Sequence, residues 1–188
     1  MAPQVIGIVG LPGSGKTEVA KVFAKLGVPS VRMGDVVWEE LRNRGKRITE
    51  RNVARLSNEL RKREGMGTIA KRCIPVIKRI GKDQRAVIVD GIRGMAEVEV
   101  FRESFGKNFH LIGCWSSQRT RYLRTSSRGR EDDTVDIKSF HQKDKRELGW
   151  GLGDALALAD FLIVNEGSLQ ELQKKAEELL KKILGESL

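Results

Sequence analysis

Cysteine and histidine are scarce in this chain, with two of each among 188 residues. Cys73 and Cys114 stand apart, each beside apolar residues, so no metal-ligand spacing is present and both read as core thiols of a reducing compartment. His110 and His141 have no partner at ligand spacing. Long apolar runs are missing as well. None approaches the roughly 18 residues of a membrane helix, and the first residues lack the apolar stretch of a secretory leader. No membrane association is expected, and a cytoplasmic location is. Repeats, low-complexity tracts and linkers are also absent, which leaves one expected domain, 1–188, long enough to bury a sizeable core.

Charge, by contrast, is plentiful. The net charge is +10, from 35 basic and 25 acidic residues, and the stretch from Arg32 to Arg85 holds 16 Lys/Arg against 7 Asp/Glu. A basic surface of this kind suits nucleic acid, a solvated helical face, or arginines aimed at polyphosphates, and charge alone does not choose among them.

The residues Gly10-Leu11-Pro12-Gly13-Ser14-Gly15-Lys16-Thr17 do choose. They match the phosphate-binding spacing G-x-x-x-x-G-K-[ST], in which glycines let successive amides turn onto phosphate oxygens. The lysine then reaches the outer phosphates and the hydroxyl ligates Mg²⁺. The run Val5–Val9 precedes the loop as a strand, and Thr17–Lys25 follows with helical spacing, so a helix N-terminus adds its partial positive charge. ATP and Mg²⁺ are the expected ligands, with Gly10 through Thr17 holding the nucleotide and Thr17 the metal.

Further along, Ser30–Met33 reads as a short strand, and Gly34-Asp35 as a turn whose Asp35 caps a helix over Val36–Arg44. Thr49 caps a helix to Glu64, and Thr68 begins one to Ile80. Ala86–Asp90 suits a buried parallel strand, Glu97–Phe105 a helix, and Phe109–Trp115 another strand. A helix from Ser117, a polar loop at Arg128–Thr134 and a helix over Val135–Leu148 follow. After the break Gly149–Gly153 come a short helix over Asp154–Ala159, the last strand Phe161–Val164, and a capping box at Ser168–Glu171 opening a final helix. Strands alternating with helices predict parallel βαβ units.

Several side chains are candidates for chemistry. Asp90 ends an apolar strand, where an acid can hold Mg²⁺ or a metal-bound water beside the phosphates, or simply serve as a helix cap or turn residue. Arg93 stands three positions later, within reach of an anionic substrate. Arg119, Arg121, Arg124, Arg128 and Arg130 form a dense cluster, and arginines stabilise the charge that spreads over a transferring phosphoryl group. Asp144-Lys145-Arg146-Glu147 reads as a solvated helical turn, with Arg146 a second lid cation. Trp115 and Trp150 suit core or interface positions, whereas Trp38 is placed to stack on a base.

Gly10–Thr17 resembles the loop of adenylate kinase and its relatives, Asp90-Gly91 their D-G segment, and Arg130-x-Asp132-Asp133 their lid motif. Ala159–Leu169 is similar to the A-D-x-x-I-x-N-x-G-S-L ending of dephospho-CoA kinase. Over nearly its full length the chain resembles archaeal P-loop proteins related to both enzymes. Departures fall on the acceptor side: Trp38 stands where adenylate kinases carry arginine, and Arg93 arrives one residue early.

The resemblance implies a three-layer α/β P-loop fold with a five-stranded parallel sheet, a helical acceptor-binding insertion at 35–85, and a lid at 128–136. The core is then 1–34, 86–127 and 137–188. It implies ATP-dependent transfer to a nucleotide-like small-molecule acceptor, with Lys16, Asp90, Arg124, Arg128 and Arg130 catalytic, and Asn165 in a loop packing on the donor's base. Arg32, Asp35, Trp38 and Arg93 are expected at the acceptor. Dephospho-CoA kinase-like activity is one alternative. The other is a P-loop ATPase or switch acting on RNA or a ribosomal partner, although a nucleic-acid partner is less favoured than a small molecule.

Overall fold

The run Val5–Val9 is buried along its whole length, as befits the middle of a parallel sheet covered on both faces. A computed structural model of the chain describes residues 2–128 and 136–186. Its strands β1 (Gln4–Val9), β2 (Ser30–Arg32), β3 (Ala86–Asp90), β4 (Phe109–Trp115) and β5 (Phe161–Val164) are all parallel, in the order β2-β3-β1-β4-β5. Helix α1 (Lys16–Lys25) follows β1. Helices α2 (Met33–Asn43), α3 (Glu50–Glu64) and α4 (Thr68–Ile80) lie between β2 and β3, and α5 (Met95–Phe105) joins β3 to β4. Helices α6 (Gln118–Arg128), α7 (Ile137–Leu148) and α8 (Leu152–Ala157) lead to β5, and α9 (Leu169–Ile183) comes after it.

Period-two alternation divides the core between the sheet's two faces. Ile6, Ile8, Ile88, Ile112 and Ile163 pack with Val19 and Phe23 of α1 and with Leu172, Ala176 and Leu180 of α9. Val5, Val9, Val87, Val89 and Leu111 pack with Leu41, Leu60, Ile77, Phe101 and Leu152 on the other side. The result is the three-layer α/β architecture. Phe23 and Phe101 are wholly enclosed, one per layer, and truncating such a ring to alanine costs about 3–5 kcal/mol.

Local signals explain most helix ends. Thr49 Oγ1 accepts from the Asn52 amide at the start of α3, and Ser168 with Glu171 forms a reciprocal capping box on α9. Several starts differ from the sequence reading by two residues or more, among them those of α5, at Met95 instead of Glu97, and α7, at Ile137 instead of Val135. The helix after β2 begins at Met33, so Asp35 lies within its first turn instead of capping it. There its carboxylate favours the positive helix end and pairs with Arg32 at 2.9 Å. The helix read as Asp154–Ala159 begins at Leu152, because Gly151 takes a left-handed φ of 85° and turns the chain earlier.

Register sets the functional edge. Asp90 is level with Ile8 of β1 and Arg32 of β2, so the carboxyl ends of three strands open beside the loop that follows Val9. Among the described residues no helix is long and apolar enough to cross a membrane.

Candidate functional site

The loop after β1 is built on left-handed glycines. Gly13 has φ 80° and Gly15, the N-cap of α1, has φ 105°, conformations that side-chain-bearing residues avoid. A β-carbon at Gly13 would also lie 2.8 Å from the Arg121 carbonyl. Lys16 bends back over the loop, its ammonium donating to the carbonyls of Gly10 at 2.6 Å and Leu11 at 3.2 Å. Ser14 Oγ is buried and has no protein partner. An unused buried hydroxyl in a loop whose amides start a helix fits a phosphate chain. Thr17 stands exposed in the first turn of α1.

From below, the loop is tied to the ends of β4 and β5. The Ser14 carbonyl accepts from Asn165 Nδ2 at 2.9 Å, Cys114 Sγ at 3.0 Å and Ser116 Oγ at 3.3 Å. Arg124 holds Asn165 in turn, donating to its carbonyl at 3.1 Å and to Oδ1 at 3.3 Å. Asn165 is therefore buried beneath the loop with its side chain engaged at both ends, and Arg124 braces it. Replacing Asn165 with leucine removes one donor to the loop and leaves Arg124 short of an acceptor. This is expected to cost about 1–3 kcal/mol in a chemical melt and to weaken an ATP analogue; an unchanged melt and affinity would contradict the brace.

Burial lowers the Lys16 ammonium to about 8, with Arg93 lowering it further and Cys114, Glu147 and Asp90 opposing. Those groups come from β3, β4 and α7, so the loop shares one electrostatic field with them. Phosphate binding needs the protonated form. Below pH about 8 the affinity for a non-hydrolysable ATP analogue is expected to be flat, and above it to fall by up to about tenfold per pH unit. Calorimetry across pH 7–9.5, approximate limits around that value, checks this, and Lys16→Gln should flatten the profile.

Beside the loop, β3 ends at Asp90 and the chain turns through Gly91 at φ 100°. The Arg93 amide donates to Glu97 Oε2 at 2.7 Å, and its guanidinium reaches Glu147 Oε2 at 2.9 Å. Arg61 of α3 meets Glu97 Oε1 at 3.3 Å. Burial pushes the Glu97 carboxyl up, while the Arg93 amide and the Arg61 guanidinium pull it back. These groups border a cavity of about 400 Å³ whose lining also includes Trp150 and Arg146 together with the apolar side chains of Met33, Val37, Val53 and Ile69. The guanidinium carbons of Arg61, Arg93 and Arg146 lie 5.9, 6.0 and 5.7 Å from the Trp150 ring centroid. At Gly94, which packs on the Trp150 carbonyl, a β-carbon would collide with that oxygen.

Arg93 is thus brought together with the phosphate loop, but Arg32, Asp35 and Trp38 are not among the cavity walls. Arg32 pairs with Asp35 and lies 5.2 Å from the Trp38 ring, a group of its own where β2 passes into α2. Asp144 and Glu147 overturn the solvated-turn reading. Both are about 5% exposed, and Asp144 receives a two-pronged bond from Arg121 at 2.8 and 2.5 Å. Arg121 also donates to the Pro12 carbonyl at 3.1 Å, so α7 is tied through it to the phosphate loop. Trp115 is 41% exposed and so is no core residue. Asp132, Asp133, Arg130 and the side chain of Arg128 lie outside the described residues, as does most of the expected lid. Arg61, Glu97, Glu147 and Trp150 were missed from sequence; the one signal was a large aromatic set between two glycines at a helix break.

Residues 9–138 match a family model described as an AAA domain. The chain is similar to a UPF0200/UPF0201 protein of Archaeoglobus fulgidus, 44% identical over 180 residues, covering 96% of this chain and 56% of that one. The chain thus spans little more than half of that relative's length. A UPF0200 protein of Methanosarcina mazei is 40% identical over 181 residues, covering 96% of each. Among solved structures, a Thermus thermophilus protein shares the fold with a TM-score of 0.68 and 17% identity, over 97% of this chain and 98% of that one. The shikimate kinase of Acinetobacter baumannii, solved in complex with shikimate, gives a TM-score of 0.57 at 18% identity, over 97% and 94%. The fold is that of P-loop kinases.

Proposed function

The chain belongs to the UPF0200 family, and from that premise we propose that it is an ATP- and Mg²⁺-dependent phosphotransferase, built like the nucleotide kinases and acting on a small-molecule acceptor. One observation carries the reading: Arg93 and Glu147, which line the cavity, also act electrostatically on Lys16 of the phosphate loop. The segment 35–85 then serves as the acceptor lobe and 128–136 as the lid.

In this reading the backbone N–H groups of Gly13–Thr17 and the Lys16 ammonium bind the phosphates, the Thr17 hydroxyl holds Mg²⁺, and Asp90 orients metal-bound water. When bound, MgATP supplies the γ-phosphoryl group: an acceptor oxygen forms the new P–O bond, the β–γ bridging bond breaks, ADP keeps that electron pair, and a hydroxyl's proton passes to solvent. Mg²⁺ keeps several water and phosphate ligands and takes few from protein. Among the described residues no group of three or more His, Cys, Asp or Glu is gathered to hold a metal. Lys16, Arg93, Arg124 and Arg128 supply positive charge around the phosphates, and Arg130 joins them from the lid.

The test offers γ-labelled ATP with a panel of nucleoside monophosphates, dephospho-CoA, hydroxy acids and sugars. Label on one acceptor, lost in Lys16→Ala, supports the reading. ATP hydrolysis that no acceptor changes, with no labelled product, sinks it in favour of an ATPase or switch.

A further inference from the structure

We propose that the acceptor is a compact hydroxylated molecule bearing one negative charge, and that its oxyanion is held by Arg61, Arg93 and Arg146 beside Trp150. The hydroxyl rests on the phosphotransfer reading above; the anion rests on the cavity alone.

Three guanidinium groups from three separate elements converge on one indole, within 6.0 Å of its centre. Gathering like charges is unfavourable unless opposite charge joins them. Part of that charge is already there. Glu97 and Glu147, both buried, meet Arg61 at 3.3 Å, Arg93 at 2.9 Å and Arg146 at 3.9 Å. Three cations face two carboxylates, so one positive charge is left over. The remainder belongs to Arg146, whose contact is the longest and whose side chain is 57% exposed.

One carboxylate closes that balance. A phosphate monoester would bring a second charge against Glu97 and Glu147, where a like charge is opposed. Donors are available, because each guanidinium has five N–H groups, and an indole face supports a guanidinium without consuming them. The apolar lining of Met33, Val37, Val53 and Ile69 accepts carbon skeleton, and the cavity's roughly 400 Å³ confines the molecule to modest size.

The test follows Trp150 fluorescence in a Trp38→Phe/Trp115→Phe background, without nucleotide. Glycerate, gluconate and quinate are compared with glycerol 3-phosphate, glucose 6-phosphate and AMP, and with uncharged glycerol. At least one monocarboxylate is expected to give a saturable change, the phosphate esters a weaker one, and glycerol none. Arg146→Gln should weaken that binding about 10- to 100-fold, the factor a charged hydrogen bond carries, with an unchanged melting temperature. Arg61→Gln should do the same, read beside its own melt because Glu97 loses a partner. A preference for phosphate esters, no response to any monocarboxylate, or undiminished binding in Arg146→Gln overturns the proposal. Binding without any phosphoryl transfer from ATP leaves the anion site standing and removes the kinase reading instead.

Discussion

Lys16→Ala is expected to lower phosphoryl transfer by about two to three orders of magnitude, the loss seen when one preorganised charge donor is removed from a transition-state site, while the fold survives. Two facts set this expectation. The ammonium is held on the loop by the carbonyls of Gly10 and Leu11, at 2.6 and 3.2 Å, and so is poised where phosphate oxygens would replace them. Its value of about 8 shows that burial disfavours the charged form. Because the folded state holds this proton less tightly than the unfolded chain does, the charged lysine costs stability below about pH 8, and the cost fades as pH rises toward the unfolded value. Alanine removes that cost together with the two hydrogen bonds, so the melting temperature should move little. Turnover and thermal melts on the same preparations check both halves. Activity within tenfold of the parent would mean that the chemistry does not run through this loop.

The contrast between that lysine and the acidic partners of α7 shows what the sequence could and could not disclose. Strands β1, β3, β4 and β5 were legible because their apolar runs are local and bounded by turn residues, and the phosphate loop because its glycines carry a conformational requirement at fixed spacing. Thr49 and the Ser168–Glu171 box were legible for the same reason: cap and capped residue lie three apart. Asp144 and Glu147 were not. Their partners Arg121 and Arg93 lie 23 and 54 residues away, and a run of alternating charge on a helix looks the same whether water or a buried guanidinium faces it. Asn165 gave no local sign of its place beneath the phosphate loop, because the carbonyl it binds, Ser14, is 151 residues distant. Asp35 was misplaced for a smaller reason: caps and first-turn acids are both favourable at a helix start, and one residue separates the patterns. Trp150 gives no local sign of the arginines around it, since Arg61 and Arg93 arrive from other elements.

Asp144→Ala is expected to be the most destabilising single change at the site, at about 3–5 kcal/mol, because it leaves the Arg121 guanidinium buried and uncompensated. Arg121 is 4% exposed, its Nε already lacks a partner, and the Phe140 ring 5.1 Å away offers only weak relief. For a chain of this size each kcal/mol lowers the melting temperature by about 2–4 °C, so the shift is easily measured. The pair also has a second job, because Arg121 donates to the Pro12 carbonyl and thereby fixes the phosphate loop to α7. Stability and loop anchoring can be separated with Arg121→Met/Asp144→Leu, an apolar pair of similar volume. Replacing a buried ion pair in this way is often neutral or stabilising, so the melt should recover most of what Asp144→Ala loses. The Pro12 contact does not recover, and the affinity for an ATP analogue should stay below the parent's. A double variant that regains both stability and nucleotide affinity would show that the ion pair serves packing alone. One that regains only stability would identify Arg121 as the link through which the position of α7 is felt at the phosphate loop.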